Sequence, residues 1–91
     1  MGLQRLHVQV EGRVQGVGYR MFVRDLAYQY KVSGWVRNRS DGSVEAEIEG
    51  ERDVLASVVE AMHARNSYII RVERITTSPI SPMEIQGFEI R

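Results

Sequence analysis

The segment GRVQGVGYR, residues 12–20, follows an alternating apolar stretch and precedes a helical pattern. It predicts a strand, a glycine-rich loop and then a helix with an arginine in its first turn. Glycines let backbone N–H groups converge on one point, and a helix N-terminus adds partial positive charge. The Arg20 guanidinium supplies a forked, permanently charged donor. The segment therefore predicts an anion site, although a merely tight loop with Gly18 capping the helix explains the glycines alone equally well.

The start of this helix offers no short side-chain acceptor, because Ser, Thr, Asp and Asn are all absent from residues 16–19. The first N–H groups of the helix are therefore available to a ligand or to water. The segment does not meet the dinucleotide-binding fingerprint, because Met21 stands in place of its third glycine, and it lacks the GK[ST] ending of a P-loop.

Composition restricts the classes of protein that the chain can form. Ninety-one residues with 43% hydrophobic content make one domain, residues 1–91, with a modest core. The chain has no cysteine, which excludes disulfides, zinc–thiolate sites and thiol nucleophiles. No apolar run approaches the roughly 20 residues of a membrane span, and no signal-peptide pattern opens the chain. We expect a soluble cytoplasmic protein.

The charges are unevenly spread, although they sum to zero. Residues 13–39 contain six basic side chains against Asp25 alone, and residues 41–60 contain seven acidic side chains against Arg52 alone. A neutral protein with a basic front segment fits a small local anion site better than a nucleic-acid surface. Ordinary solvated charge remains the better interpretation for most of these residues.

Hydrophobic periodicity predicts an alternation of strands and helices. The predicted order is a strand around Leu6–Val10, a helix over 20–31, a strand over Val32–Arg39, a hairpin turn at Ser40–Ser43, a strand around Val44–Ile48, a helix from Leu55 to near Asn66, a strand from Ile70, a loop marked by Pro79 and Pro82, and a short terminal strand marked by Ile85, Phe88 and Ile90.

This order is the α+β, ferredoxin-like split βαβ sandwich: βαββαβ plus a short terminal strand, with two helices on one face of a mostly antiparallel sheet. The first helix is predicted as a right-handed crossover, so strands one and two run parallel with strand three between them. Parallel strands end at the same edge of a sheet. The loop after strand one and the end of strand two near Asn38 should therefore approach each other, and the second sheet face should be left to solvent.

Four segments together resemble the acylphosphatase family over nearly the whole chain. They are Gly12–Arg20, then GWVRN at Gly34–Asn38, DGSVE at Asp41–Glu45, and GFEIR at Gly87–Arg91. The first two are highly specific in combination. The resemblance implies hydrolysis of the carboxyl–phosphate anhydride of small acyl phosphates to a carboxylate and inorganic phosphate, without metal or cofactor.

The resemblance also implies the site residues. Arg20 would bind the phosphoryl group and Asn38 would orient the attacking water. The phosphate-binding loop would comprise Gln15, Gly16, Val17, Gly18, Tyr19 and Arg20. Partners would be the acyl phosphate and inorganic phosphate, with no nucleic acid and no membrane, and the protein would be a monomer.

Two departures from the family pattern lie away from these residues. The family usually has a glycine near the end of the first helix, where this chain has Tyr30-Lys31-Val32, and Gly-Pro after the second helix, where it has Asn66-Ser67. They bear on local loop shape and substrate preference rather than on the chemistry.

The residue types agree with the implied chemistry on independent grounds. The leaving carboxylate has a conjugate acid with a pKa near ~4, so its departure needs no strong general acid. The demand is to hold the phosphoryl group, neutralise its charge and place a water in line. Arg20, the loop N–H groups and Asn38 meet that demand. Neither His7 nor His63 is needed.

Two other functions compete with this one. The first is a non-catalytic module of the same fold that binds phosphate or carbamoyl phosphate. The second is RNA binding, which stacks bases on aromatic residues of the central strands. Here the outward residues of strands one and three are predicted to form a solvated, acidic face that repels phosphate: His7, Gln9, Glu11, Glu45, Glu47 and Glu49.

Overall fold

A computed structural model describes residues 2–91. Its elements are β1 (Leu3–Arg13), α1 (Tyr19–Tyr30), β2 (Ser33–Asn38), β3 (Val44–Glu51), α2 (Arg52–Ala61), β4 (Arg71–Ile80) and β5 (Phe88–Ile90). The strands form one five-stranded sheet in the order β4-β1-β3-β2-β5. The ferredoxin-like arrangement predicted from the sequence is confirmed. No helix of this described region is long and apolar enough to cross a membrane.

The strand directions bring the ends of β1, β2 and β5 to the same edge of the sheet. β3 pairs antiparallel with both β1 and β2, so β1 and β2 run parallel with β3 between them. β5 adds to β2 in parallel, opposite the residues that precede Asn38. The loop after β1 therefore emerges beside the end of β2 and the end of β5.

The core lies between one sheet face and the two helices. Strand residues of this face alternate with outward residues, and Val8, Val10, Ala46 and Ile48 are fully buried. The helices contribute buried residues at helical spacing, Val23, Leu26 and Ala27 from α1 and Leu55 and Val58 from α2. This apolar layer holds α1 rigidly against the sheet.

The second helix is shorter than the sequence predicts, ending at Ala61 instead of near Asn66. The N–H groups of His63 and Ala64 bond to carbonyls only three residues back, at 3.2 and 3.0 Å, and Ala64 adopts a left-handed φ of 52°. A left-handed residue ends a right-handed helix, so the apolar periodicity outlasts the helix itself.

The prediction of a loop at Pro79 is wrong, because Pro79 lies within β4, opposite Leu6 of β1. β4 is an outer strand of the sheet, with a neighbour on one side only. Proline lacks an N–H and is tolerated where that position faces away from the ladder.

The second sheet face is not the solvated acidic surface predicted above. Glu45 and Glu49 are 8% and 2% exposed, and Arg5, itself 3% exposed, bonds to Glu47 and Glu49 at 2.8 Å each. The tail before β5 covers one end of this face, because the N–H groups of Met83 and Glu84 both donate to Glu49 at 2.8 Å. This face therefore lacks the exposed acidic charge that was expected to repel nucleic acid, and the absence of a nucleic-acid partner stays a prediction.

Candidate active site

The loop between β1 and α1 is shaped by two glycines in the left-handed region. Gly16 and Gly18 have φ of 74° and 79°, and a Cβ added to either would meet nothing within 4 Å. The glycines are therefore required by backbone conformation rather than by lack of space. Gly18 caps α1 without any side-chain hydrogen bond.

The loop presents donors that the protein leaves unused. Within residues 2–91, the backbone N–H groups of residues 15–18 donate to no protein acceptor. The half-buried Arg20 side chain, one position into α1, has no carboxylate within 4 Å in the same part of the chain. Unpaired N–H groups beside an unpaired guanidinium favour an anion of the size of a phosphate.

The loop is anchored from the inside by hydrophobic packing. Tyr19 is 1% exposed, and its hydroxyl donates to the Met62 carbonyl at 2.7 Å. Burial raises the pKa of the Tyr19 phenol, so this hydroxyl stays protonated and committed to Met62. Val17 packs against the core cluster as well. The backbone donors are thus held on a rigid support.

Asn38 reaches the same place from the sheet. It is the last residue of β2, where it pairs with Val44 across the hairpin. The β1–α1 loop and the end of β2 line the same cavity, which has a volume of about 320 Å³. Its lining residues are Val14, Gly16, Gly18, Tyr19, Arg20, Met21, Asn38 and Ile90. The loop and the strand end meet as the parallel arrangement of β1 and β2 requires.

Two residues of the predicted phosphate-binding loop, Gln15 and Val17, do not line this cavity. The Gln15 side chain turns instead to the β2–β3 hairpin, where its amide nitrogen lies 2.7 Å from the Arg39 carbonyl and 2.9 Å from that of Ser43. Among residues 2–91, no three His, Cys, Asp or Glu side chains are grouped so as to hold a metal ion.

The two histidines lie elsewhere. His7 contacts Glu45 at 2.6 Å on the far sheet face, and His63 follows the end of α2 with its Nδ1 3.3 Å from the Glu60 carbonyl. Neither lines the cavity. No histidine is therefore positioned at the cavity to transfer a proton.

Sequence reasoning missed three apolar lining residues, Val14, Met21 and Ile90. Met21 directly follows Arg20 and is 53% exposed, and Ile90 arrives through the parallel pairing of β5 with β2. The sequence feature that could have identified Ile90 is the predicted terminal strand, since a strand that pairs in parallel with β2 ends near Asn38. The cavity thus combines the polar side chains of Arg20 and Asn38 with apolar lining residues.

The basic residues that flank Asn38 are already paired. Arg37 bonds to Glu45 at 2.7 Å, and Arg39 lies 3.5 Å from the same carboxylate. Burial opposes ionisation of Glu45, but hydrogen bonds from His7 and Arg37 outweigh it and lower the pKa of the carboxyl. Arg20 therefore remains the cation at the cavity that has no carboxylate partner within residues 2–91.

The fold and the site define a small ferredoxin-like domain with an anion-binding loop, one arginine and one amide around a single cavity. The acylphosphatase family profile matches residues 6–90. The chain belongs to the acylphosphatase family, and it is a hydrolase that acts on acyl phosphates.

Individual relatives agree with this assignment. The chain is 47% identical to the acylphosphatase of Natronomonas pharaonis over 87 residues, covering 96% of this chain and 94% of that protein. The crystal structure of acylphosphatase from Bacillus subtilis superimposes with a TM-score of 0.88 at 40% identity, covering 99% of both chains. Full-length HypF, solved in a phosphate- and nucleotide-bound form, contains a similar region with a TM-score of 0.91 and 27% identity, which covers 99% of this chain but 12% of HypF.

Proposed function

We propose that the enzyme hydrolyses small acyl phosphates at the cavity between the β1–α1 loop and the end of β2. Arg20 and the loop N–H groups bind the phosphoryl group, and Asn38 orients the attacking water. The water oxygen forms a bond to phosphorus as the bond from phosphorus to the acyl oxygen breaks. The products are a carboxylate and inorganic phosphate, and the proton released from the water passes to the phosphate or to solvent.

The observation that carries this proposal is the unpaired state of the donors around one cavity. An arginine without a carboxylate partner and a loop of unbonded N–H groups lie beside Asn38, among residues 2–91. Preorganised donors stabilise negative charge more than mobile water does, because they need no reorganisation during the reaction.

The leaving group explains why these few residues are enough. A carboxylate leaves without protonation, since its conjugate acid has a pKa near ~4. Phosphoryl transfer of this kind depends mostly on positioning and charge neutralisation. The Asn38 amide can accept a hydrogen bond from water and donate one to a phosphoryl oxygen, which places the nucleophile in line.

One competing function is a module of the same fold that binds phosphate or carbamoyl phosphate without turnover. HypF, which contains a similar region, was solved in a phosphate- and nucleotide-bound form. Both candidates require the same anion site. They differ in whether Asn38 activates a water, so turnover of an acyl phosphate separates them.

The test is hydrolysis of benzoyl phosphate by the wild type and by Asn38→Ala, with and without a chelator. We expect Asn38→Ala to lose about 100- to 1,000-fold in kcat, as is typical for one positioned polar group, with a much smaller change in inhibition by inorganic phosphate. Gln29→Ala, which removes an exposed amide from α1, is the matched control and should keep wild-type activity. Activity that disappears with the chelator would contradict the metal-free mechanism, and phosphate binding without turnover would establish the competing module.

The proposal includes no role for histidine and no partner beyond substrate and phosphate. His7→Gln and His63→Gln should both retain activity and the wild-type pH profile. A monomeric enzyme of the cytoplasm remains the expectation, and light scattering on the purified protein together with cell fractionation would test it.

A further inference from the structure

The Gln15 side chain makes the direct polar link between the β1–α1 loop and the β2–β3 hairpin. Its amide nitrogen lies 2.7 Å from the Arg39 carbonyl and 2.9 Å from the Ser43 carbonyl. Because both partners are carbonyl oxygens, the group that faces them must be the NH2 of the amide. Both of its hydrogens are therefore used.

These carbonyls belong to the two sides of one turn. The Arg39 N–H donates to the Ser43 carbonyl at 2.8 Å, which closes the hairpin, and Asp41 accepts from the Ser43 N–H and hydroxyl at 3.0 and 2.6 Å. Asn38 is the residue directly before Arg39. A group that fixes the Arg39 and Ser43 carbonyls therefore fixes the backbone from which the Asn38 side chain projects.

We propose that Gln15 is a positioning residue, which sets the distance between Asn38 and the phosphate-binding loop and thereby aligns the attacking water. The inference rests on the proposed function, since it assumes that Asn38 orients that water. The sequence places Gln15 in the phosphate-binding loop without assigning its side chain, and the structure directs that side chain to the hairpin. Because the NH2 group of Gln15 donates both of its hydrogens to the hairpin, only the amide oxygen remains, and an acceptor oxygen does not bind an anion. The Gln15 side chain is therefore not a ligand of the phosphate.

The expected consequence is a rate effect rather than a binding effect. Arg20 and the backbone N–H groups do not depend on the Gln15 amide, so affinity for phosphate is preserved. Asn38 does depend on it, and a displacement of about 1 Å at a reacting centre can cost about 100-fold in rate.

The test is a double-mutant cycle between Gln15 and Asn38. Gln15→Met keeps the length of the side chain and removes the donors, and we expect kcat for benzoyl phosphate to fall by about 10- to 100-fold with little change in the inhibition constant of inorganic phosphate. In an Asn38→Ala background the same substitution should cost almost nothing, because the residue through which Gln15 acts has gone. Gln29→Met, exposed on α1, is the matched control and should leave kcat unchanged in both backgrounds.

Each outcome decides one question. Equal losses in both backgrounds would overturn the positioning role, and so would a rise in the phosphate inhibition constant that parallels the loss in kcat, since that pattern belongs to a direct ligand. Full activity of Asn38→Ala would instead refute the proposed function and is recognised before Gln15 is changed. If Gln15→Met does not fold, Gln15→Asn, one methylene too short to reach both carbonyls, completes the same cycle.

Discussion

The phenol of Tyr19 donates a 2.7 Å hydrogen bond to the main-chain carbonyl of Met62, which ties the first residue of α1 to the end of α2. Both side chains are almost fully buried, at 1% and 0% exposed. The bond therefore lies in a region without competing solvent, directly beneath the loop whose N–H groups are free to bind an anion. It makes the support of the loop dependent on the packing of the second helix.

We expect Tyr19→Phe to lower the free energy of unfolding by about 1–2 kcal/mol, because it leaves a buried carbonyl without its partner. Urea unfolding measures this loss, and Tyr28→Phe, 60% exposed on the same helix, should change stability little. The folded Tyr19→Phe enzyme should keep most of its kcat, since the phenol has no chemical role. Loss of activity at full stability would show that the hydroxyl takes part in the reaction.

Arg20→Ala should abolish most of the affinity for phosphate. Charge-assisted hydrogen bonds contribute about 1.5–3 kcal/mol each, so the inhibition constant of inorganic phosphate should rise at least about 10- to 100-fold. Arg20→Lys should restore binding poorly, because an ammonium lacks the planar fork of the guanidinium.

Competitive inhibition by phosphate, measured for both variants and for Arg52→Ala at the exposed start of α2, provides the comparison. An unchanged inhibition constant in Arg20→Ala would remove Arg20 from the site. Raising the ionic strength should also weaken kcat/KM more than kcat for the wild type, because salt screens capture of an anion by Arg20.

The stability of the fold should depend on pH through Glu49. Burial of this carboxylate opposes its ionisation, but hydrogen bonds from the Met83 N–H, from Arg5 and from the Glu84 N–H outweigh that effect and lower its pKa below the ordinary 4.5. A lowered folded-state pKa means that the charge contributes its full stabilisation above 4.5, and that this is lost as the pH falls through the folded-state value.

Glu49→Gln should therefore reduce the free energy of unfolding by about 2–3 kcal/mol at pH 7. This is somewhat less than the loss expected when a buried charge is left with no partner, because Arg5 still forms its ion pair with Glu47. The difference from wild type should shrink as the pH falls below 4.5, the ordinary value for this group. Thermal melts between pH 7 and 3 measure it, with the exposed Glu51→Gln as control. A difference that stays constant across this range would show that the charge of Glu49 does not stabilise the fold.

Topology was predictable from the sequence because it depends on local signals. Alternation along β1 and β3, helical spacing along α1 and the Asp41-Gly42 turn are each visible within about ten residues. Together with the parallel crossover they are enough to bring Asn38 to the loop that carries Arg20, and the structure places both on one cavity.

Long-range pairing was not predictable in the same way. The burial of Glu49 depends on Arg5, which is 44 residues away, and on main-chain groups 34 and 35 residues away in the tail. The use of Gln15 likewise depends on two carbonyls 24 and 28 residues further along the chain. Nothing in the spacing of a glutamate or a glutamine specifies such partners. The sequence therefore predicts a solvated strand face, and it places Gln15 in the phosphate-binding loop without indicating its partners in the hairpin.

The departure from the family pattern at Lys31 leads to the last prediction. Lys31 ends α1 in the left-handed conformation, with φ 58° and ψ 43°, and the Val32 N–H closes the turn on the Ala27 carbonyl at 3.0 Å. The family usually has glycine near this point, and a side chain in this conformation costs about 1–2 kcal/mol.

Lys31→Gly relieves that strain but adds chain entropy to the unfolded state, so we expect a net gain of about 0.5–1 kcal/mol in the free energy of unfolding. Lys31→Ala removes the same side chain and keeps the strain, so it should give no such gain. Urea unfolding of the three proteins compares them, and benzoyl phosphate turnover should be equal in all, because Lys31 does not line the cavity that holds Arg20 and Asn38. Equal stability of the glycine and alanine variants would show that the left-handed backbone at Lys31 is not strained.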